Sequence, residues 1–386
     1  MEFDITWILL GLPIAFALGW LASRLDLRQL RIENRQAPKA YFKGLNYLLN
    51  EQQDQAIDAF IEAVQKDPDT SELHFALGNL FRRRGEYERA VRVHEHLLSR
   101  ADLSKSDRER AQHALSLDFM KAGLLDRAED ALRKLEGTRF QEQAWLTLLS
   151  IYERSREWPQ AAQMAQRLQQ AGHGDFASRQ AHYLCEQAAT ALVREKNPVA
   201  ARELLDQAIQ NAPDDARPRI QLAALLVHQG DQAGAFKMLA SVQKHAPQAV
   251  PLVAAELLRT AQASGQVPEA MALLHQSHAD FPSLDVAEAI VQGEIASGTP
   301  VDAARQWYVR HMQQEPSLIA AARWLAHEPF ANEQAHPTVQ QSLDQAARPL
   351  ARYRCAACGF EAQGYFWQCP GCQAWESFPP RRIEEL

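Results

Sequence analysis

Residues 41–68 read YFKGLNYLLNEQQDQAIDAFIEAVQKDP, and the order of small and large side chains in this stretch decides the fold. Gly44, Tyr47, Ala56, Phe60, Ala63 and Pro68 occupy small, large, small, large, small and proline positions across two segments. Two helices that cross at small residues bring their backbones close, while the large neighbours fill the space beside the crossing. Proline then ends the second helix, because it cannot continue the hydrogen-bond ladder. The next unit keeps Leu77, Gly78, Phe81, Gly85, Tyr87, Ala90 and Leu97. Aligning on the small residue of the second helix gives Ala56, Ala90, Ala128, Ala161, Ala201, Ala235, Ala270 and Ala304, with gaps of 34, 38, 33, 40, 34, 35 and 34. A helix-pair unit therefore recurs through residues 37–325. The closing proline returns at Pro213, Pro247, Pro282 and Pro316 but is missing from the third and fourth units. The 38- and 40-residue gaps predict longer loops between helices there.

This pattern resembles the tetratricopeptide repeat (TPR) family. The resemblance implies an all-α superhelix of about eight to nine repeats, whose concave surface is lined by first helices and binds other proteins. In the second unit the family's groove-lining positions fall on Phe75, Asn79, Arg82 and Arg83, which would offer hydrogen bonds and positive charge to an acidic or backbone-presenting peptide. Composition agrees with a helical, folded chain: 46% of its 386 residues are apolar, enough for a sizeable core, and only 17 are glycine. The balance of 41 basic and 48 acidic residues lacks the basic excess of a general nucleic-acid binder.

Ile5 to Ala22 runs ITWILLGLPIAFALGWLA without a charge, long enough to span roughly 27 Å of hydrocarbon as a helix. Trp7 and Trp20 fall near the two expected interfaces. Arg24, Arg28, Arg31, Arg35 and Lys39 follow the span, whereas Glu2 and Asp4 precede it. A cleaved signal peptide would carry its positive charge on the other side. The positive-inside rule thus predicts a single-pass anchor at residues 1–23, a basic juxtamembrane segment at 24–36, a periplasmic N-terminus and a cytoplasmic C-terminal part in the inner membrane.

Four of the five cysteines cluster near the end, in YRCAACGFEAQGYFWQCPGCQAWESF. Cys355-x2-Cys358 and Cys369-x2-Cys372 each let a tight turn aim two sulfurs at one ion, and two facing turns complete a tetrahedral four-thiolate site. Gly359 and Pro370-Gly371 suit such turns. The pattern resembles the rubredoxin-like and zinc-ribbon family, which implies one bound metal ion at residues 352–380, zinc in preference to iron. A closed site of this kind leaves no position for water or substrate and favours a structural role. The module also carries Tyr353, Phe360, Tyr365, Phe366, Trp367, Trp375 and Phe378, more aromatic surface than so small a fold buries. Some of it is expected to dock on the last repeat helices, over a capping helix near Thr338–Ala347 in a linker at 326–351.

No phosphate loop, HExxH or nucleophile elbow appears, so no catalytic or cofactor-binding residues are expected and the chain reads as a non-enzyme. His94 and His96, at i and i+2, lie on different faces of a helix and are expected at the surface; Cys185 is expected in the core. The combination of anchor, repeat array and ribbon resembles the lipopolysaccharide assembly protein B family of Gram-negative bacteria. That resemblance implies an inner-membrane adaptor that presents the committed deacetylase of lipid A synthesis to a membrane-bound AAA+ metalloprotease, alongside other assembly or envelope-sensing membrane proteins. It leaves a homo-oligomer open. A general assembly scaffold at the inner membrane and a zinc-ribbon adaptor for nucleic acid are the other readings of the same residues.

Overall fold

The computed structural model describes residues 16–20, 42–66, 70–329 and 334–386. Of the predicted anchor, only residues 16–20 fall among these, and they are helical. The rest of Ile5–Ala22, the basic segment after it, Tyr41 and Pro68 lie outside the described residues. Among the described residues no helix is long and apolar enough to cross a membrane.

The chain divides into two compact units, Met1–Ile151 and Tyr152–Leu386. In the first, helical residues 42–49 precede Gln53–Lys66, and the pairs Ser71–Arg84 with Tyr87–Ser99 and Lys105–Ala122 with Leu125–Arg133 follow. Helix Gln141–Ser155 crosses the division, and the second unit continues with Trp158–Gln170 and the pairs Ala177–Val193 with Pro198–Asn211, Ala216–His228 with Gln232–His245, and Ala254–Ser264 with Val267–Asp280. Leu284–Ala296 then pairs with a second helix broken at Arg305 into Val301–Ala304 and Gln306–Gln314. Leu318–Leu325 and His336–Ala347 close the series. A helix is thus present at His336–Ala347, starting two residues before the predicted Thr338.

All eight alanines of the repeat register have 0% exposure. The opposing first-helix position is as tight: a methyl group built on Gly78 would stand 2.5 Å from the His94 ring, and one on Gly44 2.8 Å from Phe60. Pro213, Pro247, Pro282 and Pro316 each lie two residues beyond a second helix, ending at Asn211, His245, Asp280 and Gln314. After Pro247 the chain makes a 3-10 turn, Pro247–Leu252, before the next helix begins.

The structure corrects two expectations here. The extra residues of the 38-residue gap go largely into a longer first helix, Lys105–Ala122 with 18 residues against 14 for Ser71–Arg84, whereas the 40-residue gap lengthens both its first helix, Ala177–Val193 with 17, and, as expected, the loops at 171–176 and 194–197 on either side of it. His94 is not at the surface but fully buried: its Nδ1 lies 2.5 Å from Asp118 Oδ2, and Asp118 also accepts from Arg82 at 2.8 Å. Spacing separates His94 from His96 correctly, since His96 is exposed, but it says nothing about which of the two faces the neighbouring helix. Cys185 is buried, as expected.

Two predictions follow from this packing. Gly78→Ala forces a methyl group against His94 and should destabilise the first unit by about 1–3 kcal/mol, read as a lower unfolding midpoint. In the second unit, His278 Nε2 lies 3.3 Å from His311 Nδ1, and burial, then the neighbouring His311 and His275, hold His278 down at about 4. The unfolded chain takes up a proton near the ordinary histidine value of about 6.5 that the folded one refuses, so this stability is full above that value and is lost as pH falls toward 4. Urea midpoints measured across that window should fall less steeply for His278→Gln than for the unaltered chain.

Candidate metal centre

The ribbon begins with a short hairpin in which Tyr353–Arg354 and Glu361–Ala362 pair antiparallel, Tyr353 opposite Ala362. Cys355 and Cys358 sit in its loop. A bridge between Gln368 and Trp375 closes a second loop holding Cys369 and Cys372. The two loops are built alike. Gly359 N–H donates to the Cys355 carbonyl and Gln373 N–H to the Cys369 carbonyl, both at 2.9 Å. Both residues have left-handed backbones, with φ of +77° and +63°. The left-handed position of the second loop is thus Gln373, one residue after its second cysteine.

The four sulfurs converge. Cys355 Sγ lies 3.8 Å from Cys372 Sγ and Cys358 Sγ lies 3.7 Å from Cys369 Sγ, and all four lie within 4.8 Å of one another. A disulfide would need about 2 Å, whereas a tetrahedral zinc site with Zn–S near 2.3 Å places its sulfurs about 3.8 Å apart. The donor set and its spacing fit one thiophilic ion. Cys355 and Cys369 are buried, while Cys358 and Cys372 face outward. Burial pushes the Cys355 thiol up, but Ser377 and the backbone N–H groups of Cys358 and Ala357 outweigh it and hold the thiol down at about 6.

The ribbon does not dock over the capping helix, as its aromatic excess had suggested, but on helices Ala177–Val193 and Ala216–His228 further back in the array. Trp375 stacks on the buried His182 ring, with centroids 4.9 Å apart and planes 11° apart, and packs edge-on to Tyr183. Its indole N–H donates to Glu153 Oε1 at 3.0 Å, an oxygen that also accepts from the Tyr183 hydroxyl at 2.5 Å. Glu376 accepts from Ser178 Oγ at 2.5 Å and from His182 Nε2 at 3.1 Å, and the hydrogen bond from His182 is the main cause holding its carboxyl below the usual range. Arg217 stands within 6 Å of both the Trp367 and Trp375 rings, pairs with Glu186 at 2.5 Å and lies 3.4 Å from His182 Nδ1. A guanidinium only donates, so His182 accepts through Nδ1 and donates through Nε2. His182, Asp215 and Glu376 also stand close enough to share a cation. With Arg217 against the imidazole and its Nε2 proton committed to Glu376, they form instead a polar seat for the ribbon.

The last six residues hold the ribbon from its other side. Arg382 pairs with both carboxylate oxygens of Asp285 at 2.9 Å and lies over the Tyr353 ring. Glu385 accepts from Leu284 N–H at 2.6 Å and Glu384 from Ile319 N–H at 3.2 Å. Each carboxylate thus satisfies a free N–H at the start of a helix, where negative charge is also favoured by the helix dipole. The tail and the polar seat escaped sequence reading. The only signal was the paired Glu384-Glu385 after a basic pair. Of the predicted groove residues, Phe75, Asn79 and Arg82 do line one depression in the first unit, while Arg83 is exposed and does not.

Trp375→Ala empties the seat and strips Glu153 of a donor, which should weaken docking by about 3–5 kcal/mol. Amide exchange should then rise together in residues 353–380 and in helix Ala177–Val193. Exchange rising in the ribbon alone would show that the seat contributes nothing to the helix.

Residues 353–380 match the rubredoxin metal binding domain family, and residues 73–109 and 192–257 match tetratricopeptide repeat families. The chain is 32% identical to lipopolysaccharide assembly protein B of Escherichia coli strain K12, over 97% of this chain and 98% of that protein. It is 27% identical to the protein of the same name from Haemophilus influenzae, over 98% of each. A likeness of this extent, running through both repeats and ribbon, places the chain in the lipopolysaccharide assembly protein B family.

Proposed function

We propose that this chain is an inner-membrane adaptor that regulates lipopolysaccharide synthesis by bringing the committed lipid A deacetylase to a membrane-bound AAA+ protease for degradation. The observation that carries the reading is the family likeness over the full length. The fold supports it: a helix-pair array is a protein-binding scaffold, and the metal module is seated on that array instead of facing a substrate cleft. In this reading residues 1–23 anchor the chain and 24–36 lie at the membrane surface. Residues 37–325 form the array, 326–351 link and cap it, and 352–380 form the ribbon. The cytoplasmic part captures a soluble substrate and the anchor confines it beside the protease, so degradation is promoted by effective concentration. The chain itself makes and breaks no bond.

In the same reading Cys355, Cys358, Cys369 and Cys372 hold one ion, zinc in preference to iron. A bound ion supplies folding free energy to a module too small to fold on its own core. The protein's part is to converge the four sulfurs and to seat the folded ribbon through Trp375 and Glu376.

The test is a crosslinked pull-down from membranes with the intact chain and with Cys369→Ser/Cys372→Ser, together with metal analysis of both. Recovery of deacetylase and protease with the intact chain, and a loss of both the metal and the partners in the variant, is expected. Recovery of neither partner with the intact, metal-loaded chain would refute the adaptor reading. Visible absorption of a ferric four-thiolate site would overturn the choice of zinc.

A further inference from the structure

The four sulfurs of the ribbon are not equally sheltered. Cys355 and Cys369 are buried, whereas Cys358 and Cys372 are exposed, and residues 356–360 and 370–373 are exposed throughout. Each outward sulfur stands beside a buried one of the opposite turn, Cys372 at 3.8 Å from Cys355 and Cys358 at 3.7 Å from Cys369. A thiolate is the nucleophilic form of cysteine, and solvent access decides which thiolate a small oxidant reaches. The lone Cys185 is buried in the array, where burial pushes its thiol up to about 12 and keeps it protonated and inert.

The contacts that hold the ribbon and its tail to the array depend on this knot. Cys355 and Cys369 form the ribbon's buried set together with Tyr353 and Phe378. Shortly after Phe378, Arg382 lies over Tyr353 and pairs with Asp285. Glu385 and Glu384 then accept from the Leu284 and Ile319 N–H groups. At the seat, Trp375 stacks on the His182 ring. A module this small has no core to keep these groups in place once its sulfurs no longer share an ion.

We infer that Cys358 and Cys372 make the ribbon a redox-operated latch on the end of the array, opened by a peroxide and closed again by a dithiol. The outward thiolate attacks one oxygen of the peroxide, the O–O bond breaks, and the products are a cysteine sulfenic acid and hydroxide. A neighbouring buried thiolate then attacks that sulfur, forming a disulfide and expelling a second hydroxide. Two electrons have passed from the sulfur pair to the peroxide. A disulfide holds its sulfurs about 2 Å apart, so two of the four donors are lost from a site that needs them about 3.8 Å apart. The ribbon loses the folding free energy that the ion supplied. Arg382, Glu384 and Glu385 then leave helices Leu284–Ala296 and Leu318–Leu325. The inference rests on the reading of the four cysteines as a zinc site, an ion that is itself redox-inert, and on no particular partner.

The test uses the full chain in detergent, with its metal content measured first. An empty site would overturn the metal reading and the latch with it, whereas a loaded site that ignores peroxide overturns the latch alone. Hydrogen peroxide should release the zinc to a chromogenic chelator, and peptide mapping should find a disulfide joining Cys358 or Cys372 to Cys355 or Cys369. Amide exchange should rise about tenfold or more in residues 353–380 and at the starts of Leu284–Ala296 and Leu318–Leu325, and stay unchanged in Ser71–Arg84 of the first unit. Dithiothreitol with added zinc should reverse all of these changes. Cys185→Ala should respond as the unaltered chain does. Cys358→His/Cys372→His keeps a donor set that zinc accepts but removes both outward sulfurs, and should hold its zinc about tenfold longer in peroxide. Zinc lost without a change of exchange in the two helices, or oxidation that dithiothreitol cannot reverse, would also overturn the inference. The pull-down above reads the adaptor function separately, so either result can fail alone.

Discussion

The described repeat array packs tightly around small residues: the eight register alanines have no exposed surface, and the glycines at 44 and 78 lie against the Phe60 and His94 rings. The rest of the architecture depends on that constraint. A two-helix unit has no interior of its own and buries its apolar faces only against the next unit. The eight buried alanines and the glycines at 44 and 78 set the separation at which this burial becomes complete. Interiors pack as densely as organic crystals, so an added methylene at such a point must move a helix and with it the neighbouring pair.

The ribbon solves a different problem. Its own buried set is Tyr353, Cys355, Cys369 and Phe378, with Leu252 of the array packed against it. Four residues cannot offset the conformational entropy of a module this size. Two further sources are built into the chain: the converging thiolates, and a docking surface that finishes the ribbon's packing with side chains from the array. Trp375 contributes area while its N–H finds Glu153, and Glu376 closes the polar remainder with His182 and Ser178. Polar groups paired across the contact restrict the orientations in which the surfaces can meet, more than an apolar contact of equal area would.

The legible and illegible parts of this molecule divide along one line. The repeat register, the closing prolines and the two CxxC turns could be read because each is a local pattern whose geometry follows from its own spacing. The position of the ribbon could not, since Glu376 meets His182 across 194 residues and Trp375 meets Glu153 across 222. No periodicity announces such a pairing. His94 failed for a related reason: i and i+2 spacing separates two side chains correctly, yet only the neighbouring helix, which brings Asp118, decides which one is buried. The extra residues of the 38-residue gap entered a helix because Lys105–Ala122 continues good helix-forming sequence, which a gap length alone does not distinguish from a loop. In the second CxxC turn the left-handed backbone falls at Gln373, four residues after the first cysteine as in the other turn, and a glutamine gives no sequence signal of it.

The C-terminal tail joins these two kinds of structure. Helices Leu284–Ala296 and Leu318–Leu325 begin with free backbone N–H groups, and carboxylates from the last three residues of the chain meet both. Arg382 meanwhile reaches from the same turn to Asp285 and to the ribbon's Tyr353. The end of the array is thus completed by residues that follow the ribbon in sequence. Those residues can reach it only when the ribbon is in place, because Phe378 is buried in the ribbon core only a few residues before Arg382. Ribbon folding, ribbon seating and capping of the last helices are therefore linked steps, and whatever stabilises the thiolate knot stabilises helices that contain none of its ligands.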